Sequence, residues 1–395
     1  MRIVYGSCVR LGGGGIGWTA HNAALASHRA GLLERLFVSS TAQSGGKGQS
    51  GGKGQSEEGA ESGIPRSRIS AWGPPGRALK LLASRDASGL LYHLEGLGFD
   101  AWTAAALPPA DLFHGWPASC LRTLRAARKR DMVTVVERAS SHPATQRRLL
   151  DQERERWGVG RRTPSWNHDR SVAEIEEADY VVIPSDFVRA SMLEAGVPET
   201  KLVQIPFGAD LERFHPETSS GERPFRVVFA GQICLRKGVP DLLEAWRRLD
   251  LRGAELWLVG QVRPDFAPLR PLWEGLPGLH YMGYSERLPE LLRQCDVFAL
   301  PTLEEGSALV TYEALASGLP VVTTPNAGSV VRNGKDGYVV PIRDCDALCQ
   351  RLWDLHEDAG LRRRLGASAR HRAEAFPWSR YREELVARYR GIVAP

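Results

Sequence analysis

The stretch Pro301-Thr302-Leu303-Glu304-Glu305-Gly306-Ser307-Ala308-Leu309-Val310-Thr311-Tyr312-Glu313-Ala314-Leu315-Ala316-Ser317-Gly318-Leu319-Pro320-Val321-Val322 decides the fold. The apolar run Val297 to Leu300 leads into it as a strand, Pro301 to Ser307 reads as a loop, and Val310 to Ala316 reads as a helix. Ser317-Gly318-Leu319 turns the chain into a further strand, Pro320-Val321-Val322. Strand, loop, helix, turn and strand in this order make one unit of a parallel sheet. Two carboxylates stand in the unit, Glu305 in the loop and Glu313 on the helix, with seven residues between them. A loop carboxylate can accept hydrogen bonds from sugar hydroxyls, and one on the helix can hold the paired hydroxyls of a ribose. The amides of Ser307, Ala308 and Leu309 lie at the helix start, where backbone N–H groups and the helix dipole favour phosphate. The competing reading is a pair of ordinary exposed glutamates.

The same rhythm runs outward in both directions. Upstream, Arg226 to Ala230, Glu255 to Val259 and Val297 to Leu300 read as strands, with helices at Val239 to Arg248 and Leu288 to Gln294. Before these lies a polar stretch, His215 to Pro224, with the composition of a linker. Before the linker a second series appears: Ile3 to Tyr5, Asp111 to His114, Val133 to Val136, Tyr180 to Ile183 and Leu202 to Ile205 as strands, with helices at Trp18 to Ala30, Leu121 to Arg130 and Asp186 to Ala195. Two doubly wound α/β units in tandem predict a ligand cleft at the C-terminal ends of the strands. The expected organisation is a first domain over residues 1–215, with a flexible loop at 43–63, and a second over residues 216–375. The loop contains the repeat Ser44 to Gln49 and Ser50 to Gln55, which has nothing to bury; its Lys47 and Lys53 could grip phosphate, but a tandem duplication in a tolerant loop is the preferred reading.

Two further constellations bear on chemistry. Gly14-Gly15-Ile16-Gly17 follows the first strand and opens a helix, offering bare amides to an anion. A dinucleotide site would need a ribose-binding acid about 20 residues on, and Glu34 lies near that distance without a well-formed second unit after it. In the second half, Phe229-Ala230-Gly231-Gln232-Ile233-Cys234-Leu235-Arg236-Lys237-Gly238 places two cations before a helix, where they oppose its dipole unless an anion joins them. A solvated surface pair is the plainer alternative.

Taken together these motifs resemble the retaining glycosyltransferases of family 4, which have the GT-B architecture of two Rossmann-like domains facing each other across a cleft. The resemblance also takes in Glu177 to Ser185, Pro206-Phe207-Gly208-Ala209-Asp210 leading to Phe214-His215-Pro216, and the closing Phe376-Pro377-Trp378-Ser379. It implies a nucleotide-sugar (NDP-sugar) donor held mainly by the second domain, as a co-substrate and with no cofactor or metal. Lys237 looks like the diphosphate-binding lysine and Glu305 like the residue on the donor sugar, with Arg236 beside them as the third catalytic candidate. Glu313 looks like the ribose ligand, while Gly260, Gly283 and Tyr284 fall where the base is held. The family carries an arginine where this chain has Gln232. It usually has phenylalanine and glycine where Ser307 and Ala308 stand. Residues 376–395 resemble the terminal helix that crosses back to the first domain.

The acceptor is expected on the first domain, with Glu137, Arg138 and His142 as candidate contacts in the polar run after the strand at Val133; His142 as a helix cap, and His114 as a core histidine, are the structural alternatives. A carbohydrate, lipid-linked or small-molecule acceptor fits. The cations Arg122, Arg125, Arg128, Lys129 and Arg130 on one helix suit an anionic membrane surface or simply water. Two rival functions share the architecture, an NDP-sugar epimerase and a non-catalytic binding subunit.

Composition agrees with this class. The chain has 395 residues, 43% of them hydrophobic and 25% charged, which excludes a disordered or collagen-like protein. Lysine and arginine exceed aspartate and glutamate by 51 − 46 = 5, too small an excess to point to nucleic acid. Six cysteines without CxxC spacing suggest reduced thiols and a cytoplasmic location, peripheral to the membrane if the basic helix docks there.

Overall fold

A computed structural model describes residues 1–11, 15–40, 63–73, 90–159, 166–216 and 223–393. Strands β1 (Ile3–Arg10), β2 (Leu33–Ser40), β3 (Ile69–Ala71), β4 (Leu112–Gly115), β5 (Val133–Glu137), β6 (Tyr180–Ile183) and β7 (Leu202–Gln204) form one parallel sheet in the order 3-2-1-4-5-6-7. Strands β8 (Arg226–Ala230), β9 (Glu255–Val259), β10 (Leu279–Gly283), β11 (Val297–Leu300), β12 (Val321–Thr323) and β13 (Gly337–Val339) form a second, in the order 10-9-8-11-12-13. Both orders reverse beside their first strand, at β1/β4 and β8/β11, and that reversal opens the crevice in which such sheets bind ligands. Helices cover both faces of the central strands: all four residues of β4 and of β11 are buried.

The helices are α1 (Ile16–Arg29), α2 (Leu90–Ala105), α3 (Leu121–Arg128), α4 (Pro143–Trp157), α5 (Trp166–Glu177) and α6 (Asp186–Glu194) around the first sheet. Around the second are α7 (Val239–Leu249), α8 (Leu288–Arg293), α9 (Leu309–Ala316), α10 (Cys345–Glu357) and α11 (Ala359–Glu374), followed by α12 (Trp378–Val393). The first strand runs to Arg10, well past the Tyr5 that its apolar run suggests, because Ser7 to Arg10 continue the pairing with β2. Helix α2 escapes pattern reading because of Gly96 and Gly98, which weaken a helix by about 1 kcal/mol each relative to alanine. Both serve packing instead: a Cβ on Gly96 would lie 2.5 Å from the Ala118 carbonyl oxygen, and one on Gly98 2.7 Å from the Trp72 ring.

The terminal helix α12 packs on the first sheet's side. Arg382 donates to Asn22 Oδ1 of α1 at 2.7 Å, and Tyr381 Oη donates to Glu137 Oε1 at 2.8 Å. Tyr389 Oη lies 2.6 Å from His114 Nδ1, and His114 Nε2 lies 3.2 Å from Glu137 Oε2. Helix α4 reaches the other way: Arg156 bridges Glu153, at 3.2 Å, to Asp241 of α7, at 2.8 Å. Among the described residues no helix is long and apolar enough to cross a membrane.

Candidate active site

The turn after β8 and the loop after β11 are stitched together at the switch point of the second sheet. Gly238 takes φ 67°, and a Cβ there would lie 1.9 Å from the Pro301 carbonyl oxygen, so only glycine lets the two segments touch. Leu303 N donates to Arg236 O at 2.9 Å, and Thr302 Oγ1 donates to the same oxygen at 3.0 Å. These bonds fix Arg236 and Lys237 over the loop that carries Glu305.

Three of the expected residues therefore converge. Glu305 is buried, with Oε1 2.7 Å from Lys237 Nζ and in contact with the Arg236 guanidinium. Burial pushes the Glu305 carboxyl up, but Arg236 and Lys237 outweigh it and hold the pKa below the usual carboxylate value. Burial likewise pulls Arg236 down, and Glu305 and Glu304 more than offset that, raising its pKa. Two cations thus share one loop carboxylate at a crevice, an arrangement that a diphosphate can enter by displacing that carboxylate.

Glu313 lies one turn into α9, half-buried, and its carboxylate makes no hydrogen bond among the described residues. Burial raises its pKa to about 7, against the pull of Arg213 and with the push of Asp210. It is a carboxylate lacking the donors that a ribose diol would supply. The amides at the start of α9 are not equivalent. Ala308 N donates to Ala327 O at 2.9 Å and is already used, whereas Leu309 opens the helix with no intrahelical acceptor for its N–H. Ser307 is occupied through its hydroxyl, which donates to Gly328 O at 3.0 Å and lies 3.0 Å from Tyr312 Oη. Gln232 is exposed beside the cations.

The glycines at the strand ends permit close backbone approach. Gly260 has φ 151°, and a Cβ there would meet Gly231 O at 1.7 Å; its N–H donates to Gly283 O at 2.8 Å. Tyr284 beyond them is 70% exposed, open to stacking on a base. In the first domain, Gly15 caps α1 with φ 62° and Ile16 is exposed, while Gly17 presses against Arg10 O, 2.7 Å from where a Cβ would sit. Gly14, Lys47 and Lys53 lie outside the described residues.

The acceptor-side candidates are placed differently from one another. Glu137 does not reach the cleft: it is 1% exposed and its carboxylate is taken by Tyr381, Tyr5 and His114. His142 caps α4, its Nδ1 accepting from Ala144 N at 3.3 Å, and burial and Arg138 lower its pKa. Arg138 is buried, donating to Ser141 O at 2.8 Å and Gln146 Oε1 at 3.2 Å; desolvation lowers its pKa to about 10, with Glu304 and Glu174 opposing. Of the basic run, Arg125 is paired with Glu177 at 2.6 Å and Arg128 with Asp179 at 3.4 Å, while Arg130 bonds the Leu107 carbonyl and keeps its charge.

The site is closed by direct contact between domains. A Cβ on Gly306 would lie 1.9 Å from Ala139 O, and Ser185 Oγ donates to Gly306 O. The sequence reading passed over Glu304, which is fully buried and bonds Ser141 and Gln146 across the cleft. Its only sequence signal is its adjacency to Glu305.

Residues 224–358 match the family model described as glycosyl transferases group 1. Over 268 residues the chain is 29% identical to the MMP alpha-(1->4)-mannosyltransferase of Mycolicibacterium hassiacum, 64% of each protein. Over 221 residues it is 30% identical to the GDP-mannose-dependent alpha-(1-6)-phosphatidylinositol monomannoside mannosyltransferase of Mycolicibacterium smegmatis, covering 49% of this chain and 57% of that protein. The chain thus spans about half to two thirds of the length of the curated relatives it matches. Among solved structures, sucrose-phosphate synthase from Thermosynechococcus elongatus superposes with TM-score 0.72 at 18% identity over all of both chains. Anabaena HepE in complex with UDP-glucose gives TM-score 0.69 at 15% identity, covering 99% of this chain and 100% of that one. With two parallel Rossmann-like sheets and solved structures superposing over the whole chain, the protein has the GT-B fold, and residues 224–358 of its second domain are similar to the group 1 glycosyl transferases.

Proposed function

We propose that the chain is a retaining glycosyltransferase that moves a sugar from an NDP-sugar to a carbohydrate or lipid-linked acceptor. The observation that carries this reading is the pairing of Arg236 and Lys237 with Glu305 at the switch point of the second sheet. Departure of the diphosphate from the anomeric carbon places negative charge on its oxygens, and two fixed cations stabilise that charge without reorganising. Glu305, freed from them, accepts hydrogen bonds from the sugar. Glu313 holds the ribose, and the first amides of α9 face phosphate. With Glu305 assigned to the sugar's hydroxyls and Glu313 to the ribose, we read the reaction as same-face substitution, with the leaving phosphate taking the acceptor's proton. The mannosyltransferase names of the relatives make GDP-mannose the first donor to try.

The test is proton NMR of slow donor hydrolysis with GDP-mannose, UDP-glucose and ADP-glucose. One donor should release sugar whose first-formed anomer matches that of the donor. Release of the opposite anomer refutes retention; nucleotide binding without release from any donor favours the binding-subunit reading, for which Gln232, at the family's arginine position, is the one observation.

A further inference from the structure

Glu304 stands beside the donor carboxylate and has no part in the chemistry proposed above. It is 0% exposed, and its partners come from both domains. Ser141 donates to Oε1 through its N–H at 2.9 Å and its hydroxyl at 2.7 Å, and Gln146 Nε2 donates to Oε2 at 2.9 Å. From the second domain, Arg236 Nε lies 3.3 Å from Oε2 and donates to the Glu304 carbonyl oxygen at 2.9 Å. Arg138 ties the two first-domain partners to each other through Ser141 O and Gln146 Oε1.

We propose that Glu304 is a positioning residue that latches the two domains closed and sets Arg236 for the donor diphosphate; the second half of this rests on the reading of the cleft as a donor site. Opening the cleft must break three hydrogen bonds to one buried carboxylate, so the contact is made as a unit or not at all. Leaving a buried carboxylate without such partners is costly. Closure presses the Gly306 backbone onto Ala139, leaving no room for even a Cβ, and so the donor enters with the latch open. When the latch re-forms, Glu304 carries Arg236 with it, because its carbonyl and carboxylate oxygens both hold that guanidinium. Glu305 and Glu304 then divide the work: the first gives up its cations to the diphosphate, and the second keeps its partners.

The test is Glu304→Gln on the full chain, followed by small-angle scattering, calorimetry with UDP and GDP, and donor turnover. The variant amide turns a donor toward Gln146 Nε2, so the latch loses its match while the side chain keeps its size. Its radius of gyration should rise above the parent's, its nucleoside diphosphate affinity should stay within about threefold, and its kcat should fall about tenfold or more. Adding Gln146→Glu restores an acceptor opposite the new amide and should recover both compactness and kcat. If Glu304→Gln fails to fold, Gln146→Ala breaks the same bond from the other side and should give the same signature. Unchanged scattering and kcat overturn the proposal, as does a loss of nucleotide affinity matching the loss of kcat, which would place Glu304 in the donor site. Should the parent itself bind neither nucleotide, the donor reading fails, and scattering of parent, single and double variants still decides the latch.

Discussion

Replacing Glu305 with glutamine should strengthen nucleotide binding while it cripples turnover. In the free protein Glu305 Oε1 is 2.7 Å from Lys237 Nζ and touches Arg236, so a diphosphate must take both cations away from it. Hydrogen bonds to charged groups contribute about 1.5–3 kcal/mol net. Glutamine retains a neutral bond to Lys237 and loses the charge, so the parent gives up about 1.5 kcal/mol more than the variant when the diphosphate binds. The partial exposure of Arg236 puts the effect at the low end of that range. Nucleoside diphosphate affinity should therefore rise about tenfold in Glu305→Gln. The sugar ring gains positive charge as the diphosphate leaves, and a carboxylate beside it is needed only then. Losing such a preorganised group costs about 3 kcal/mol, or roughly a hundredfold in kcat. Calorimetry with UDP and GDP beside donor turnover measures both. A variant that binds nucleotide more weakly than the parent, or turns over at the parent's rate, refutes the reasoning.

Four further variants test the same geometry. Lys237→Ala should lose both nucleotide affinity and kcat, the latter by about a hundredfold, since the diphosphate is present throughout but gains charge on departure. Glu313 is protonated below its raised pKa of about 7, and ribose hydroxyls donate to the ionised form, so affinity should climb from pH 6 to pH 8 with a slope that Glu313→Gln removes in calorimetry. Because that pKa is raised from its ordinary 4.5 to about 7, stability falls as pH rises from about 4.5 through about 7, and Glu313→Gln should melt at a higher temperature than the parent at pH 8. Gly306→Ala puts a methyl 1.9 Å from Ala139 O and should hold the cleft open, seen as a larger radius of gyration and about a hundredfold lower kcat. Tyr381→Phe leaves the buried Glu137 one donor short and should cost about 1–3 kcal/mol in urea unfolding.

The central strands of both sheets were legible because parallel strands buried on two faces are continuous apolar runs, whereas β2, β3, β10 and β13 were not, being three residues long or interrupted by polar residues such as Glu34, Arg35 and His280. The second domain's half of the site was legible for a related reason: Arg236, Lys237, Glu305 and Glu313 lie in two short contiguous segments whose spacing carries the geometry. What resisted reading depends on partners distant in sequence. Glu137 looks like a cleft residue until Tyr5 and Tyr381, 132 and 244 residues away, fold onto it. Arg125 and Arg128 of α3 look free until Glu177 and Asp179 come alongside. Glu304 and Glu305 are chemically the same residue side by side, and only Ser141 and Gln146 from the other domain separate their roles. The use of the Ala308 amide is of the same kind, since Ala327 claims it through a loop that no local pattern fixes.

The account rests on the diphosphate of a donor replacing Glu305 on Arg236 and Lys237, and a crystal structure with UDP or GDP bound tests this most directly. The account predicts phosphate oxygens within hydrogen-bond distance of both cations, the Glu305 carboxylate released from them, and both ribose hydroxyls on Glu313. A nucleotide whose diphosphate lies away from Lys237, with Glu305 still paired to it and the ribose remote from Glu313, would contradict the account.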